Sequence, residues 1–239
     1  MRAMESHLER CGYDAKEPEI RAWIDPGNGT VGDRFWTIDP IDGTKGFLRN
    51  DQYAIALALI VEGRVDVAAL ACPVLDKGKS STFLAVRGEG AWSVSPTGRR
   101  DSIAVSDASS PDSWRFVESV ESSHGNPALQ SAAARAVDIQ TPSLRMDSQA
   151  KYAAVARGDA VLYLRLPSAD GKRYAEKIWD HATGSLIVEE AGGRVTDIRG
   201  RDLDFRSDPL MKRNRGFVVS NGAIHDRVIE ALSEIEAMA

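Results

Sequence analysis

Two long apolar runs, separated by only three residues, restrict the fold of this chain more than any other feature. Residues 53–61 and 65–72 are almost continuously hydrophobic, and the segment Glu62-Gly63-Arg64 joins them. Runs of this length with a short polar connection are typical of neighbouring strands in a sheet. Because neither run alternates strictly between apolar and polar residues, we expect both strands to be central in a sheet that is covered on both faces.

The positions of the predicted turns, loops and remaining elements indicate two domains. Residues 82–86 and 91–94 read as a further hairpin, and residues 95–113, rich in Ser, Pro, Asp and Gly, as the inter-domain connection. The second half alternates between helix and strand, which is typical of a layered α/β domain. The predicted helices cover residues 128–137, 148–157, 180–191 and 223–237, and the predicted strands cover residues 161–166, 194–197 and 216–220. We place the domains at residues 1–105 and 106–239.

Composition excludes several classes of partner. The net charge of −5 over 239 residues argues against a non-specific nucleic-acid binder or a binder of anionic membranes. No apolar run is long enough to span a membrane. The two cysteines, Cys11 and Cys72, form neither a disulfide framework nor a metal-type spacing. A reducing cytoplasm is therefore the expected compartment.

The first motif that carries chemistry follows an apolar strand and covers residues 36–49, WTIDPIDGTKGFLR. Asp39 and Asp42 supply hard oxygen ligands of the kind that Mg²⁺ prefers. The N–H groups of Gly43 and Thr44 point at an anion if these residues open a helical turn. The alternative is an ordinary turn, since Asp, Pro and Gly are common turn residues.

The second motif covers residues 177–193, KIWDHATGSLIVEEAGG. Asp180 stands at the position of a helix N-cap, and Gly192-Gly193 ends the predicted helix. On these residues alone, the alternative is a capping aspartate with no further role.

Together the two motifs resemble those of the inositol monophosphatase superfamily of Mg²⁺-dependent, lithium-sensitive phosphatases. The extension Thr44-Lys45-Gly46-Phe47-Leu48-Arg49 resembles the branch of 3'(2'),5'-bisphosphate nucleotidases, whereas inositol monophosphatases typically carry Thr-Asn after Asp-Gly. The resemblance implies an α+β layered fold, an α/β/α/β/α sandwich with its site between two domains.

The resemblance also implies a metal site with two or three Mg²⁺ ions. Asp39, Asp42 and the carbonyl of Ile41 would hold the metals, and Asp180 would add a carboxylate from the second domain. Thr44 would be the catalytic residue that orients the attacking water through its hydroxyl group.

On the substrate side, the resemblance assigns nucleotide or phosphate contacts to a further set of residues. Without it, Ser148 is a helix cap, Lys151 a solvated lysine, Arg165 a surface charge at a strand end and His124 an exposed loop histidine. His181 and His225 are expected to be structural. The substrate-binding set implied by the family is Gly43, Thr44, His124, Ser148, Lys151, Arg165 and Asp180.

This chain departs from the family pattern before Asp39, where only 38 residues stand. The family carries there a helical layer and an acidic metal motif, which we expect to be largely missing. Three explanations stay open: a start codon placed too far downstream, a true truncation, or a binding protein that has lost turnover.

The implied reaction is removal of the 3'-phosphate of adenosine 3',5'-bisphosphate, which gives AMP and phosphate. The expected partner is thus a small nucleotide bisphosphate, with no nucleic acid or membrane partner and an unspecified oligomeric state. An inositol phosphate phosphatase is the first alternative. A truncated, non-catalytic nucleotide- or metal-binding protein is the alternative from another class.

Overall fold

The chain divides into two units, Met1–Val31 and Gly32–Ala239. In this computed structural model the described residues are 2–76, 78–107, 111–120, 126–167 and 176–238. The first unit contains helix α1 (Arg2–Arg10), helix α2 (Glu17–Ile24) and a 3-10 turn (Asp25–Asn28). The Glu17 N–H donates to Glu5 Oε1 at 2.9 Å, which joins the start of α2 to α1.

The second unit begins with a six-stranded antiparallel sheet in which every strand pairs with its neighbour in sequence. Its first two strands are separated by the short helix α3 (Thr44–Leu48). The Arg87–Gly90 segment connects the predicted hairpin, and one short strand lies within the predicted connection 95–113. The strands are β1 (Arg34–Asp42), β2 (Ala54–Val61), β3 (Arg64–Asp76), β4 (Lys79–Val86), β5 (Gly90–Val94) and β6 (Arg100–Ser102).

Strands β2 and β3 are central in this sheet, as predicted, but its two faces differ and the expectation that both are covered is wrong. Ala56, Ala58 and Ile60 of β2 are at most 1% exposed. On the opposite face, Trp36 and Ile38 are 58% and 54% exposed. Continuous apolar runs show that both faces are hydrophobic, but they do not show that a helix covers each face.

The second half forms a five-stranded sheet in the order β10-β11-β9-β7-β8. Strand β7 pairs in parallel with β8 and β9, and the other pairs are antiparallel. The predicted domain boundary at residue 105 lies between the last strand of the first sheet and the first strand of this one. The strands are β7 (Phe116–Glu118), β8 (Leu144–Arg145), β9 (Leu162–Arg165), β10 (Arg194–Thr196) and β11 (Phe217–Ser220).

Four helices accompany the second sheet, each within two residues of its predicted bounds. They are α4 (Pro127–Ala136), α5 (Ala150–Ala156), α6 (Ala182–Glu190) and α7 (His225–Met238), with 3-10 turns at Pro111–Ser113 and Ile178–Asp180. No helix in the described part of the chain has the length and apolar character needed to cross a membrane.

The layers of the second unit meet at α6. This helix packs against β2–β5 of the first sheet and against β10 and β11 of the second. It also packs on α5, where Gly184 permits close contact, since a Cβ there would stand 2.3 Å from the Tyr152 ring. Helices α4 and α7 pack together, and residues of both join β9 and β11 in one hydrophobic core. The layer order is therefore β/α/β/α, and α6 supports the motif at its own N-terminus.

Candidate active site

A β-bulge at the end of β1 places the two carboxylates of the first motif on one face of the sheet. Asp39 is opposite Ala56 and Asp42 is opposite Ala54, so three residues of β1 advance against two of β2. Residues three apart in a regular strand point to opposite faces, and one extra residue restores the same face. Pro40 lacks the N–H that a regular ladder would use, which favours the bulge at this point.

The carboxylates of both motifs influence one another electrostatically. Burial and the negative charges of Asp42 and Asp180 together raise the pKa of Asp39 to about 6, against the opposing effect of Lys177. Burial also raises the pKa of Asp180. The 3-10 turn that carries Asp180 packs against β1 and β2. These shifts mark a concentration of negative charge that a cation would stabilise.

Backbone groups complete the first motif. The Ile41 N–H donates to Asp39 Oδ1 at 3.1 Å, and the Thr44 hydroxyl donates to the Ile41 carbonyl at 3.2 Å. Helix α3 begins at Thr44, after Gly43 at φ +80°, so the helical turn considered in the sequence analysis is present. A Cβ on Gly43 would stand 2.9 Å from the Ser148 Cβ. Glycine is needed here for both the positive φ and the close approach.

The loop before α5 lies against this motif but does not have the predicted cap geometry. Ser148 was expected to cap the helix, yet α5 begins at Ala150 and Ser148 adopts a left-handed φ of +64°. Its hydroxyl oxygen accepts the Ala150 N–H at 3.2 Å. Gly43 packs closely against Ser148 in this conformation. The left-handed φ of Ser148 could not be predicted from residue propensities alone.

Lys151 is a buried cation, so the alternative of a solvated lysine is wrong. It is 4% exposed, and its Nζ donates to the Met146 carbonyl at 3.3 Å and lies 5.4 Å from the Tyr163 ring centroid. Burial lowers its pKa to about 8, a shift that the Asp42 charge opposes and the Arg165 charge favours. Lys151 thus lies in the field of the first motif and of Arg165.

Arg165, at the end of β9, takes part in a largely buried polar chain rather than lying on the surface. Its Nε donates to Glu176 Oε1 at 2.8 Å, and Glu176 Oε2 lies 3.4 Å from His181 Nε2. His181 Nδ1 is 2.7 Å from the Tyr152 hydroxyl. Although burial alone would raise the pKa of Glu176, its hydrogen bonds and ion pairs with His181 and Arg165 lower it to about 2.

The two remaining histidine predictions differ in outcome. His225 is fully buried between the Thr196 and Ser220 hydroxyls, at 2.8 Å from each, which is a structural position. His124 lies outside the described residues.

Within the described ranges, no three His, Cys, Asp or Glu side chains stand close enough together to enclose a metal ion. The donor chemistry nevertheless fits a hard divalent cation, since Asp39, Asp42, Asp180 and the Ile41 carbonyl offer only oxygen. The raised pKa of Asp39 indicates the same need for positive charge.

Three residues that the sequence did not single out also belong to this region. Gln149 bonds to both motifs, Glu176 holds Arg165, and Lys177 donates its N–H to Asp180 Oδ2 at 3.2 Å. Gln149 follows Ser148 directly, and Glu176 and Lys177 lie within four residues of Asp180, which is the only signal that could have identified them.

Comparison with known proteins gives consistent matches. The model of the inositol monophosphatase family matches residues 14–237. A 3'(2'),5'-bisphosphate nucleotidase of Oryza sativa is 42% identical over 238 residues, which are 93% of this chain and 65% of that protein. The 3'(2'),5'-bisphosphate nucleotidase of Schizosaccharomyces pombe is 41% identical and is covered to 68% of its length, with 96% of this chain aligned. The chain therefore spans about two thirds of the length of these curated relatives.

Solved structures agree on the fold. The Thermotoga maritima IMPase has a TM-score of 0.67 at 27% identity, covering 93% of this chain and 80% of that one. CysQ from Bacteroides thetaiotaomicron, at 23% identity, has a TM-score of 0.62 over 86% of this chain and 73% of its own. These matches confirm the predicted α+β layered fold.

Proposed function

This chain belongs to the inositol monophosphatase family, and from that membership we propose that it is a metal-dependent phosphatase acting on a nucleotide bisphosphate. The proposed reaction removes the 3'-phosphate of adenosine 3',5'-bisphosphate and yields AMP and phosphate. The observation that carries the proposal is the contact between the two halves of the site, where the Gln149 N–H beside Ser148 donates to Asp42 Oδ2 at 2.5 Å. The names of the curated relatives support the same substrate class.

Two or three Mg²⁺ ions are the proposed cofactor. When bound, such ions activate a water molecule and neutralise charge on the attacking and leaving oxygens. Asp39, Asp42 and the Ile41 carbonyl would hold them from the first motif, and Asp180 from the second. The pKa of Asp39 is raised first by burial and then by repulsion from Asp42 and Asp180, and this supports the assignment because a cation between these carboxylates would relieve the repulsion.

Thr44 is the proposed catalytic residue. Its hydroxyl group donates to the Ile41 carbonyl at 3.2 Å, which leaves the lone pairs of the oxygen to accept a hydrogen bond from a water molecule. In this role the hydroxyl orients the attacking water and fixes which lone pair of that water faces the phosphorus.

The cations on the other side of the site would bind the substrate. Lys151 interacts electrostatically with Asp42 and Arg165 with Asp180, and Arg165 suits a phosphate through its planar, forked guanidinium. Gly43, Thr44, Ser148, His124 and Asp180 complete the proposed set of substrate contacts. A small, doubly phosphorylated nucleotide is a polyanion, so this mixture of local cations and metals compensates for the acidic net charge of the chain.

An assay of phosphate release from adenosine 3',5'-bisphosphate tests this function. We expect release with Mg²⁺, none after chelation, and at least a hundredfold loss in Asp42→Asn, since one metal ligand then carries no charge. Inositol 1-phosphate serves as the competing substrate, and its preferential hydrolysis would overturn the substrate assignment.

A second candidate is nucleotide or metal binding without turnover. The nucleotide-binding form of this candidate is favoured by one observation, the lack of a closed group of three metal-binding side chains among the described residues. Saturable binding of the nucleotide with no phosphate release at any Mg²⁺ concentration would establish it in place of the phosphatase.

A further inference from the structure

Gln149 forms hydrogen bonds to both acidic motifs. Its N–H donates to Asp42 Oδ2 at 2.5 Å, and its side-chain Nε2 donates to the Trp179 carbonyl at 2.9 Å. Its Oε1 accepts the Gly184 N–H at 3.1 Å. The side chain is only 2% exposed, so protein groups rather than water satisfy both ends of the amide.

Each of these partners lies where a small displacement would move a carboxylate. The Trp179 carbonyl belongs to the peptide group that leads into Asp180, so the bond from Gln149 fixes the orientation of that peptide. Gly184 is the third residue of α6, and the N–H at this position has no acceptor within its own helix. Gln149 Oε1 supplies the acceptor and thereby anchors the start of α6.

A primary amide is well suited to this position because it offers a donor and an acceptor side by side. A glutamate could accept from Gly184 but would repel the Trp179 carbonyl. A methionine would fill the space and make neither bond. The backbone holds the amide in place, since Ser148 adopts a left-handed φ of +64° and packs against Gly43.

We propose that Gln149 is a positioning residue that sets the separation between the Asp39–Asp42 pair and Asp180, and with it the affinity of the site for divalent cations. The inference rests on the proposed function, because it takes these carboxylates to be the metal ligands. It assigns to Gln149 no contact with substrate or metal. Its effect is transmitted through the backbone N–H to Asp42 and through the side chain to the turn that carries Asp180.

Gln149→Met tests the proposal, because the backbone N–H to Asp42 stays while both side-chain bonds are lost. Mn²⁺ is the probe, and loss of the free-ion signal in electron paramagnetic resonance gives the affinity and the number of bound ions. We expect the Mn²⁺ affinity of Gln149→Met to fall about tenfold. An affinity within twofold of the parent chain would overturn the proposal.

Gln130→Met is the matched control. Gln130 is also buried, at 5% exposed, and its Nε2 donates to the Leu164 carbonyl at 3.0 Å from helix α4. This variant loses a buried amide bond of the same kind without touching either acidic motif. It should keep the Mn²⁺ affinity of the parent chain, and an equal loss in both variants would contradict a specific role for Gln149.

Hydrogen exchange separates this inference from the proposed function. In the metal-free protein, the Gly184 amide should exchange at least tenfold faster in Gln149→Met than in the parent chain, while Gln130→Met leaves it unchanged. Unchanged Gly184 exchange would overturn the positioning role whatever the metal result. If the parent chain itself bound no Mn²⁺, the metal site of the proposed function would fail, and faster exchange would still support the anchoring of α6 by Gln149.

Discussion

Glu176 is a largely buried carboxylate that contacts both Arg165 and His181. Arg165 is 20% exposed and Glu176 14% exposed, and His181 contacts the same carboxylate. We expect Glu176→Gln to lower the free energy of unfolding by about 3 kcal/mol, because it leaves the guanidinium in a poorly solvated position without a counter-charge. Urea unfolding at neutral pH measures this change.

Glu189→Gln provides the control for that measurement. Glu189 pairs with Arg87 at 3.2 Å, and both side chains are about one third exposed. The loss should stay below about 1 kcal/mol, as for other ion pairs near the surface. Equal losses in the two variants would show that the Arg165–Glu176 pair gains nothing from its burial.

The raised pKa of Asp39 predicts how its contribution to the free energy of unfolding depends on pH. A carboxyl with a folded-state pKa of about 6, against 3.8 as a model value, favours folding while it is protonated. Its contribution is complete below the unfolded pKa and is lost as the pH rises through about 6. The contribution of Asp39 to the stability of the metal-free chain should therefore fall between about pH 4 and about pH 6.

Asp39→Asn isolates this effect from other carboxylates. In chelator, the difference in unfolding free energy between the parent chain and the variant should change across that pH window and level off above it. A difference that does not vary with pH would contradict the assigned pKa. Metal binding should have the opposite trend and strengthen as Asp39 deprotonates.

For single residues, the sequence predicted which residues belong to the candidate site better than it predicted their burial and backbone conformation. Asp39, Asp42 and Asp180 could be named because the two motifs resemble those of the family, whereas on the residues alone an ordinary turn and a capping aspartate stayed open. The burial of Lys151 and the left-handed backbone of Ser148 could not be predicted, since both depend on segments distant in sequence. Gln149 was missed for the same reason, because its partners are residues 42, 179 and 184.

Among the short elements, α3 is held by a glycine that tolerates no side chain. A Cβ on Gly46 would lie 2.1 Å from the Gln52 carbonyl oxygen and 3.0 Å from Asp147 Oδ2. Alanine is the better helix former by about 1 kcal/mol, but relieving a backbone clash of this size costs more. We expect Gly46→Ala to destabilise the chain by about 2 kcal/mol and to displace α3 from the loop at residue 147.

Gly32→Ala is the matched control, because Gly32 has no neighbour within 4 Å of the added Cβ and no positive φ. Thermal unfolding of the two variants gives the comparison, with Gly32→Ala within about 0.5 kcal/mol of the parent chain. A neutral Gly46→Ala would mean that α3 shifts freely. The ion pair between Arg49 and Asp147 argues against such freedom.

For whole elements, periodicity predicted strands and helices well and their environments less well. The apolar run at residues 53–61 became β2, yet the face with Ile55 remains 38% exposed at that residue. The bulge at Asp39/Asp42 also had no sequence signal beyond Pro40, because it depends on pairing with β2. Hydrophobic patterns report which side chains avoid water, whereas pairing and coverage depend on the partners that the fold supplies.

At the scale of the molecule, the layered fold and family could be predicted because two specific motifs occur in the expected order. The contacts that bring the two motifs together could not be predicted from the sequence, since they depend on how α6 lies between the two sheets. In the structure, the 3-10 turn with Asp180 packs against β1 and β2 and also contacts α6. A long-range arrangement of this kind depends on topology, to which single residues contribute only small preferences.

The strand pairing in the two sheets has a consequence for the order in which parts of this protein fold during synthesis. Every strand of the first sheet pairs with its neighbour in sequence, so this sheet can form by successive hairpins once residue 102 has left the ribosome. The second sheet pairs β7 in parallel with β9 and needs β11, at residues 217–220, beside β9. Distant pairings of this kind form slowly. Asp39 and Asp42 are therefore synthesised early and meet Asp180 late, so the proposed cation site should be among the last parts of the fold to form.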